Sequence, residues 1–248
     1  MLPADLIAAL DTVAATPRLL VTSDFDGTLS PIVNNPADAR ALPAGSAALL
    51  DLAALPDTFV ALVSGRALDV LRELSGMPAS VHLVGSHGAE FNTGFTQTVD
   101  TTLLAEIVDS LTEIASRYPG AAVETKPASA ALHVRNASAA DGEAALAAAR
   151  AAGTRWAAEP TEGKAVLEFA VVTTSKGTAI DVLRERDDAT AVVFLGDDVT
   201  DEKAFARLRD GDVGVKVGPG PSAAQYRVGS PEDVAEALAY LAVRRRAV

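Results

Sequence analysis

The sequence predicts an α/β protein whose core is a doubly wound parallel sheet, with a smaller α+β module inserted into it. Short apolar runs rich in β-branched residues alternate with helical patterns, and strands that alternate with helices form parallel sheets covered on both faces. The middle of the chain differs, because its strands alternate apolar and polar residues, as strands with one solvent-facing side do. We therefore expect a core formed by residues 1–100 and 172–248, and the inserted module at 101–171.

The elements follow from this periodicity. The predicted core strands are Leu19–Thr22, Phe59–Val63, Val81–Val84 and Ala191–Leu195. The predicted core helices are Gly45–Leu55, Ala67–Leu74, Lys176–Arg186 and Pro231–Val243. In the module, helices are predicted over Leu103–Arg117 and Asp141–Ala152, and strands over Val123–Lys126, Leu132–Arg135 and Ala165–Val172. Ser230 and Pro231 are typical of the start of the last helix.

Composition and charge exclude several classes of protein. No run approaches the ~18 apolar residues of a membrane span, and the first residues lack the basic region of a signal peptide. The absence of cysteine excludes disulfides and a thiol nucleophile, so a cytoplasmic protein is expected. A net charge of −12 disfavours nucleic acid and anionic membranes as partners. We interpret Arg244, Arg245 and Arg246 as charges that complement the dipole of the last helix.

Polar side chains cluster at the carboxyl ends of the predicted strands, which in an open parallel sheet meet at one edge. The clusters are Asp24 and Asp26, Ser64 to Arg66, Ser86 to Gly88, and Asp197 and Asp198 with Asp201 and Glu202 behind them. Four such clusters at one edge predict a single functional site.

The paired aspartates indicate a metal ion. Asp24 and Asp26 point the same way in an extended segment, and their repulsion is costly in a partly buried site unless a cation neutralises it. Asp197 supplies a third carboxylate from another strand. Oxygen-only ligands favour a hard ion, and Mg²⁺ takes few carboxylates and keeps positions open for a phosphate ester. A bound cation also reverses the local charge of this acidic chain.

The remaining polar residues fit phosphoryl transfer. A carboxylate can attack phosphorus and form an aspartyl-phosphate, and a second carboxyl group can protonate the leaving oxygen and later activate water. Ser64, with main-chain amides at a helix start, is suited to phosphate oxygens. Lys176 is suited to offset the charge of the transferring group, and Gly27 allows a sharp turn.

Four motifs carry a resemblance to a known superfamily. DFDGTLS, SGR, the lysine of SKG and GDDVTDE occur in the order and spacing of the motifs of the haloacid-dehalogenase-like phosphohydrolases. Within that superfamily the chain resembles the trehalose-6-phosphate phosphatases, through VSGR, GSHGAE, VETK with HVR, KAVLE and GDDVTDEKAF. The resemblance extends from residue 17 to residue 240.

This resemblance implies a Rossmann-like core with an inserted cap, Mg²⁺ dependence and hydrolysis of trehalose 6-phosphate. It implies Asp24 as nucleophile and Asp26 as general acid and base, with Ser64 and Lys176 on the phosphoryl group. It implies an ion bound by the Asp24 side chain, the Asp26 carbonyl and Asp197. The residues that it implies for the substrate are Arg66, His87, Glu124, Lys126, Arg135 and Glu168.

Several alternatives stay open at this point. Asp198 or Asp201 could assist the metal through water. Alternatively, Asp197 and Asp198 cap the helix that follows, and Asp201 and Glu202 favour its first turn. Two other kinds of enzyme share the same core. They are phosphatases that act on sucrose phosphate or mannosyl-3-phosphoglycerate, and phosphomannomutase-like isomerases. A non-catalytic sugar-phosphate sensor is a third class, although it has no need of a nucleophile. A trehalose-6-phosphate synthase is an expected functional partner.

Overall fold

The computed structural model describes residues 2–95 and 97–248, so Met1 and Thr96, which fall in the predicted core, lie outside the described part. The chain divides into two compact units. The first comprises the chain up to Gly94 together with Thr174–Val248, and the second, inserted between them, is Phe95–Thr173. The sequence prediction drew these two divisions at residues 100 and 171.

The bounds of the elements are as follows. The strands are β1 (Leu19–Ser23), β2 (Thr58–Val63), β3 (Val81–Gly85), β4 (Glu90–Phe91), β5 (Gly94–Phe95), β6 (Ala122–Lys126), β7 (Ser129–His133), β8 (Glu159–Gly163), β9 (Val166–Ala170), β10 (Ala191–Gly196), β11 (Val213–Val217) and β12 (Tyr226–Val228). The helices are α1 (Ala4–Ala14), α2 (Pro43–Ala53), α3 (Leu68–Ser75), α4 (Thr101–Ser116), α5 (Ala139–Gly153), α6 (Lys176–Arg186), α7 (Val199–Phe205) and α8 (Pro231–Arg246).

The sheet of the first unit has the order β12-β11-β10-β1-β2-β3-β4-β5. From β12 to β3 every neighbouring pair is parallel, and β4 pairs antiparallel with β3. The chain runs outward from β1 through β2 to β3 and later returns to β10, on the other side of β1. The strand order therefore reverses between β1 and β10, and open α/β sheets bind ligands beyond the carboxyl ends of the strands at such a point.

Helices cover both faces of this sheet, because its strands are apolar on both sides. Leu19 and Val21 of β1 belong to one hydrophobic cluster, with residues of α1, α2, α3 and α8. Leu20 belongs to a second cluster, with residues of α6 and α7. The predicted α/β class with a doubly wound parallel sheet is confirmed.

The inserted unit contains a four-stranded antiparallel sheet of order β6-β7-β9-β8. Leu132, Leu167 and Phe169 of this sheet pack against Ile107 and Leu111 of α4. The alternate residues of the same strands point to the opposite face, which is rich in polar side chains and is described below.

One predicted strand of the inserted unit is wrong in its position. The prediction placed a strand at Leu132–Arg135, whereas β7 is Ser129–His133 and Arg135 lies exposed in the turn that follows. The register explains the difference. Lys126 pairs directly with Ser129, so that only two residues connect β6 to β7, and a two-residue hairpin fixes the position of both strands.

The arginines at the end of α8 contact particular partners and do not act only on the helix dipole. Arg245 donates to the main-chain carbonyls of Ala14, Pro17 and Asp57 at 2.9, 3.1 and 3.0 Å, respectively. It thus joins the end of α8 to the segments that precede β1 and β2. Among the described residues, none of the helices combines the length and the hydropathy that crossing a membrane requires.

Candidate active site

The first segment of the site leaves the end of β1. The N–H of Asp24 donates to the Leu195 carbonyl at 2.9 Å and extends the pairing of β1 with β10 by one residue. Gly27, with φ of 78°, then turns the chain, and its N–H donates to the Ser30 carbonyl at 2.7 Å. A Cβ at Gly27 would lie 2.1 Å from Oδ2 of Asp197. Glycine is therefore required where the turn approaches this carboxylate.

A buried lysine links two of the carboxylates. Lys176, the first residue of α6, places its Nζ 2.8 Å from Oδ1 of Asp24 and 2.7 Å from Oδ1 of Asp201. All three residues are buried, with Lys176 only 3% exposed. The ammonium group is correctly placed to hold Asp24 and to meet a negatively charged group that approaches it.

Asp201 organises the loop after β10 with its second oxygen. Its Oδ2 accepts the N–H groups of Asp197 and Asp198, both at 2.9 Å. The side chain of Asp198 in turn accepts the N–H of Val199, and the two aspartates form a capping box at the start of α7. Asp198 is thus the N-cap of α7, and Asp201, in the first turn of that helix, also belongs to the charged cluster.

Burial and mutual repulsion act on the carboxylates of this site. Burial raises the pKa of Asp24 well above its usual value, against the opposing effect of Lys176, while Asp201 and Asp197 raise it further. Burial, followed by the charge of Asp201, raises the pKa of Asp197 to about 6. For Lys176, burial alone would lower the pKa, but the charges of Asp24 and Asp201 outweigh it and raise the pKa above its usual value. The site therefore favours an additional positive charge.

The donor set fits a divalent metal ion. Asp24, Asp197 and Asp201 each offer a carboxylate oxygen, and these oxygens all lie within 4.8 Å of one another. Because both oxygens of Asp201 already accept hydrogen bonds, Asp24 and Asp197 are the more available ligands. An all-oxygen set of this kind suits Mg²⁺ better than it suits a transition metal.

The second aspartate of the first motif has a different partner. Asp26 accepts two hydrogen bonds from Arg66, from Nε at 2.6 Å and from a terminal nitrogen at 2.7 Å. The guanidinium carbon lies 5.8 Å from the centre of the buried Phe25 ring. This bidentate pairing fixes the orientation of the Asp26 carboxylate.

The loops after β2 and β3 are joined by main-chain hydrogen bonds. The N–H of Ser86 donates to the Arg66 carbonyl at 2.7 Å, and the N–H of His87 donates to the Ser64 carbonyl at 2.9 Å. Ser86 and His87 both have positive φ, of 50° and 55°. A Cβ at Gly65 would lie 2.4 Å from the imidazole of His87. The structure thus brings Ser64, Arg66 and His87 together at one edge of the sheet.

A separate cluster lies on the polar face of the inserted sheet. Glu168 of β9 accepts the Nζ of Lys126 at 2.8 Å and the hydroxyl of Ser129 at 2.6 Å. Glu124 and Glu168 both pair in register with Ala131, so they flank a small residue on the same face. Nε2 of His133 lies 2.8 Å from the carboxylate of Glu124. Three of the predicted substrate residues therefore share one surface, whereas Arg135 lies in the turn beyond β7.

Some residues of these sites were not predicted from the sequence. Ser129 lies in a strand that the prediction misplaced. Lys216 of β11, which is 4% exposed, donates to the Asp197 carbonyl. The strand β11 was itself not predicted, although its alternating valines are a β-strand signal.

The parallel sheet with its inserted α/β unit and its strand-end cluster of aspartates and lysine defines a haloacid-dehalogenase-like phosphohydrolase. The sequence profile of the trehalose-phosphatase family matches residues 22–232. The chain therefore belongs to the trehalose-phosphatase family.

Curated relatives agree with this assignment, and a solved structure shares the fold. A trehalose-phosphate phosphatase of Mycobacterium avium is 36% identical over 86% of this chain and 59% of its own length. A trehalose-6-phosphate phosphatase of Escherichia coli is 35% identical over 85% of this chain and 82% of its own length. The C-terminal domain of a Candida albicans trehalose-6-phosphate phosphatase, at 22% identity, shares the fold with a TM-score of 0.81 over 98% of both chains. The chain spans 18% to 62% of the length of several other curated relatives.

Proposed function

We propose that this protein is a Mg²⁺-dependent phosphatase that hydrolyses trehalose 6-phosphate to trehalose and inorganic phosphate. The observation that carries the proposal is the buried cluster in which Lys176 contacts both Asp24 and Asp201, beside the pair formed by Asp26 and Arg66. Membership of the trehalose-phosphatase family and the names of the relatives indicate the substrate.

In the first step, a carboxylate oxygen of Asp24 attacks phosphorus, and the bond from phosphorus to the sugar oxygen breaks. Asp26 donates its proton to that departing oxygen, so that trehalose leaves as a neutral alcohol. Ser64 and Lys176 hold the oxygens of the transferring group and offset its charge. The phosphoryl group is then bound to Asp24 as a mixed anhydride.

In the second step, the Asp26 carboxylate removes a proton from water, and the water oxygen attacks phosphorus. The bond from phosphorus to Asp24 breaks, which releases phosphate and restores both side chains. Arg66 keeps the Asp26 carboxylate oriented until substrate binds. The phosphoryl group then competes with Asp26 for the guanidinium of Arg66. His87, in the loop after β3, donates its N–H to the Ser64 carbonyl and supports the loop after β2.

Asp24 and Asp197 would hold the metal, with the main-chain carbonyl of Asp26 as a further ligand. When bound, Mg²⁺ supplies positive charge that offsets the carboxylates and the phosphoryl oxygens. Asp201 fixes the Asp197 loop by accepting the N–H of Asp197.

In this proposal the inserted unit is the cap, and it recognises the sugar part of the substrate. Glu124, Lys126 and Glu168 present charged hydrogen-bonding groups on one face of the sheet, as recognition of sugar hydroxyls requires. Arg135, in the turn after β7, is proposed as a further substrate contact. We also propose a cytoplasmic location, in line with a chain that has no cysteine. A functional link to a synthase is supported by the 35% identical bifunctional trehalose-6-phosphate synthase/phosphatase of Thermoproteus tenax.

The test is phosphate release from a panel of sugar phosphates, each with MgCl₂ and with EDTA. Trehalose 6-phosphate should be hydrolysed far faster than glucose 6-phosphate, sucrose 6-phosphate or mannosyl-3-phosphoglycerate, and EDTA should stop the reaction. Comparable turnover of another sugar phosphate would overturn the substrate assignment. Isomerisation with little free phosphate would indicate a mutase, and binding without turnover would indicate a sensor.

A further inference from the structure

Lys216 is a buried lysine that none of the four motifs contains. Val213, Val215 and Val217 of β11 belong to the hydrophobic cluster on one face of the sheet. Successive side chains of a strand alternate between faces, so Lys216 points to the other face, on which α6 and α7 pack. A charged side chain in that position is costly unless it has a particular partner.

The partner of Lys216 is the metal-binding loop. Lys216 pairs in register with Gly196, the last residue of β10, and its Nζ donates to the main-chain carbonyl of the next residue, Asp197. Gly196 also leaves room for Asp201, since a Cβ at Gly196 would lie 2.4 Å from the Asp201 carboxyl carbon. The lysine therefore reaches this loop from the neighbouring strand.

The main chain of Asp197 is held on both sides of its Cα. Asp201 accepts its N–H at 2.9 Å, Lys216 donates to its carbonyl, and Thr28 donates to its carboxylate at 3.4 Å. Asp201 is a residue of α7 and Lys216 is a residue of β11, so two different elements hold this segment. Without Lys216, the Asp197 carbonyl loses its side-chain donor, and the loop is held by Asp201 through its N–H groups and by the longer contact from Thr28 to the carboxylate. We expect the direction of the Asp197 carboxylate to be less fixed in that case.

We propose that Lys216 is a positioning residue that fixes the Asp197 loop for binding of the divalent cation. The proposal rests on the metal site of the proposed function. For the affinity of the protein for the cation, it predicts a change opposite in sign to the one that charge alone predicts. Removing a positive charge next to a cation site would strengthen cation binding by Coulomb's law, whereas removing the support of a metal ligand weakens it by about tenfold or more.

The experiment measures the affinity of the purified protein for MgCl₂ alone by calorimetry, without substrate. The variants are Lys216→Met, which removes both the donor and the charge, and Lys216→Gln, which removes the charge and shortens the side chain. Val215→Ala is the matched control, because it weakens the same buried strand from the other face. Circular dichroism and the thermal midpoint record whether each variant is folded.

We expect Lys216→Met to bind Mg²⁺ about tenfold more weakly than the unaltered protein, and Val215→Ala to bind it equally well. If the methionine variant does not fold, the glutamine variant decides the question in the same direction. Mg²⁺ affinity equal to or higher than that of the unaltered protein in a folded variant would overturn the inference, as would an equal loss in Val215→Ala. If the unaltered protein itself does not bind Mg²⁺, the metal site of the proposed function fails first.

Discussion

Lys176 shows most clearly how single charges are placed in this molecule. It is the first residue of α6, where the positive end of the helix dipole disfavours a cation. Its contacts with Asp24 and Asp201 outweigh that effect and keep the ammonium group charged although it is buried. A local conflict of this kind is typical of a functional site rather than of a surface lysine.

The raised pKa of Asp197 predicts a pH dependence of stability and of metal binding. Because burial and Asp201 raise this pKa from 3.8 to about 6, the folded protein binds the proton more tightly than the unfolded chain does. In EDTA, the free energy of unfolding should therefore fall as the pH rises from about 4 to about 6. Above about pH 6 the carboxylate is free to bind Mg²⁺, so stabilisation by MgCl₂ should be larger at about pH 7.5 than at about pH 5.

Thermal unfolding across this pH range, with EDTA and with MgCl₂, checks the prediction. Asp197→Asn serves as the control, because it removes the titrating group from the loop. If the stability profile of that variant keeps the same slope between about pH 4 and about pH 6, the titration belongs to another group.

At the scale of an element, the turn after β1 depends on Gly27. Gly27→Ala should cost about 1–2 kcal/mol for its positive φ, and its Cβ would also collide with the Asp197 carboxylate. Gly76→Ala is the matched control, since Gly76 has φ of 61° and a Cβ there would meet no atom within 4 Å. Both variants should lose stability by denaturant unfolding, Gly27→Ala more than Gly76→Ala because of the added collision, but only Gly27→Ala should lose phosphatase activity. Equal activities would contradict this account of the turn.

The hairpin of the inserted unit gives Ser129 a defined role. Its hydroxyl lies 2.6 Å from the carboxylate of Glu168, and a hydrogen bond to a charged group is worth roughly 1.5–3 kcal/mol. Ser129→Ala should therefore lower kcat/KM for trehalose 6-phosphate about tenfold, mainly through KM, and leave a small phosphate ester unaffected. Ser116→Ala on α4, whose hydroxyl bonds the Glu113 carbonyl, should change neither value. A parallel loss on both esters in Ser129→Ala would indicate a purely structural role.

The same hairpin shows where prediction from the sequence ends. Ala130 and Ala131 are poor strand formers, and their place in β7 follows from the pairing of Lys126 with Ser129. The burial of Lys216 was also not predicted, because a lysine in a short apolar run normally faces solvent. Only the register with β10 shows that it lies inside. By contrast, the strands β1, β2, β3 and β10 and the helices α2, α3, α6 and α8 were predicted to within a few residues, since their apolar runs are local signals. No bounds were predicted for the strands β4, β5, β11 and β12 or for the helices α1 and α7.

At the scale of the whole molecule, Arg245 should contribute to stability and not to catalysis. It joins the end of α8 to the segments before β1 and β2 through several main-chain carbonyls. Arg245→Ala should lower the free energy of unfolding by about 2 kcal/mol, with unchanged activity per folded molecule. Arg246→Ala, which removes an exposed ion pair with Asp51, should cost less than about 1 kcal/mol. Equal losses in denaturant unfolding would contradict the role given to Arg245.

The strand-end location of the core site was predictable because Asp24, Ser64 and Asp197 each follow an apolar run directly. The contacts between site residues could not be predicted in this way. The pairing of Asp26 with Arg66, for example, joins loops that follow two different strands. Which residues become neighbours across a sheet depends on strand order and register, and neither is written in a local pattern.

In the proposed function, one chain joins a phosphoryl-transfer core to a sheet that recognises the sugar. The most direct test is kcat/KM for trehalose 6-phosphate and for p-nitrophenyl phosphate in Asp24→Asn and in Glu168→Ala. The first variant should lose about three orders of magnitude or more on both substrates. The second should lose about a hundredfold on trehalose 6-phosphate and change little on the small ester. Turnover by Asp24→Asn close to that of the unaltered protein, or equal losses on both substrates in Glu168→Ala, would contradict this proposal.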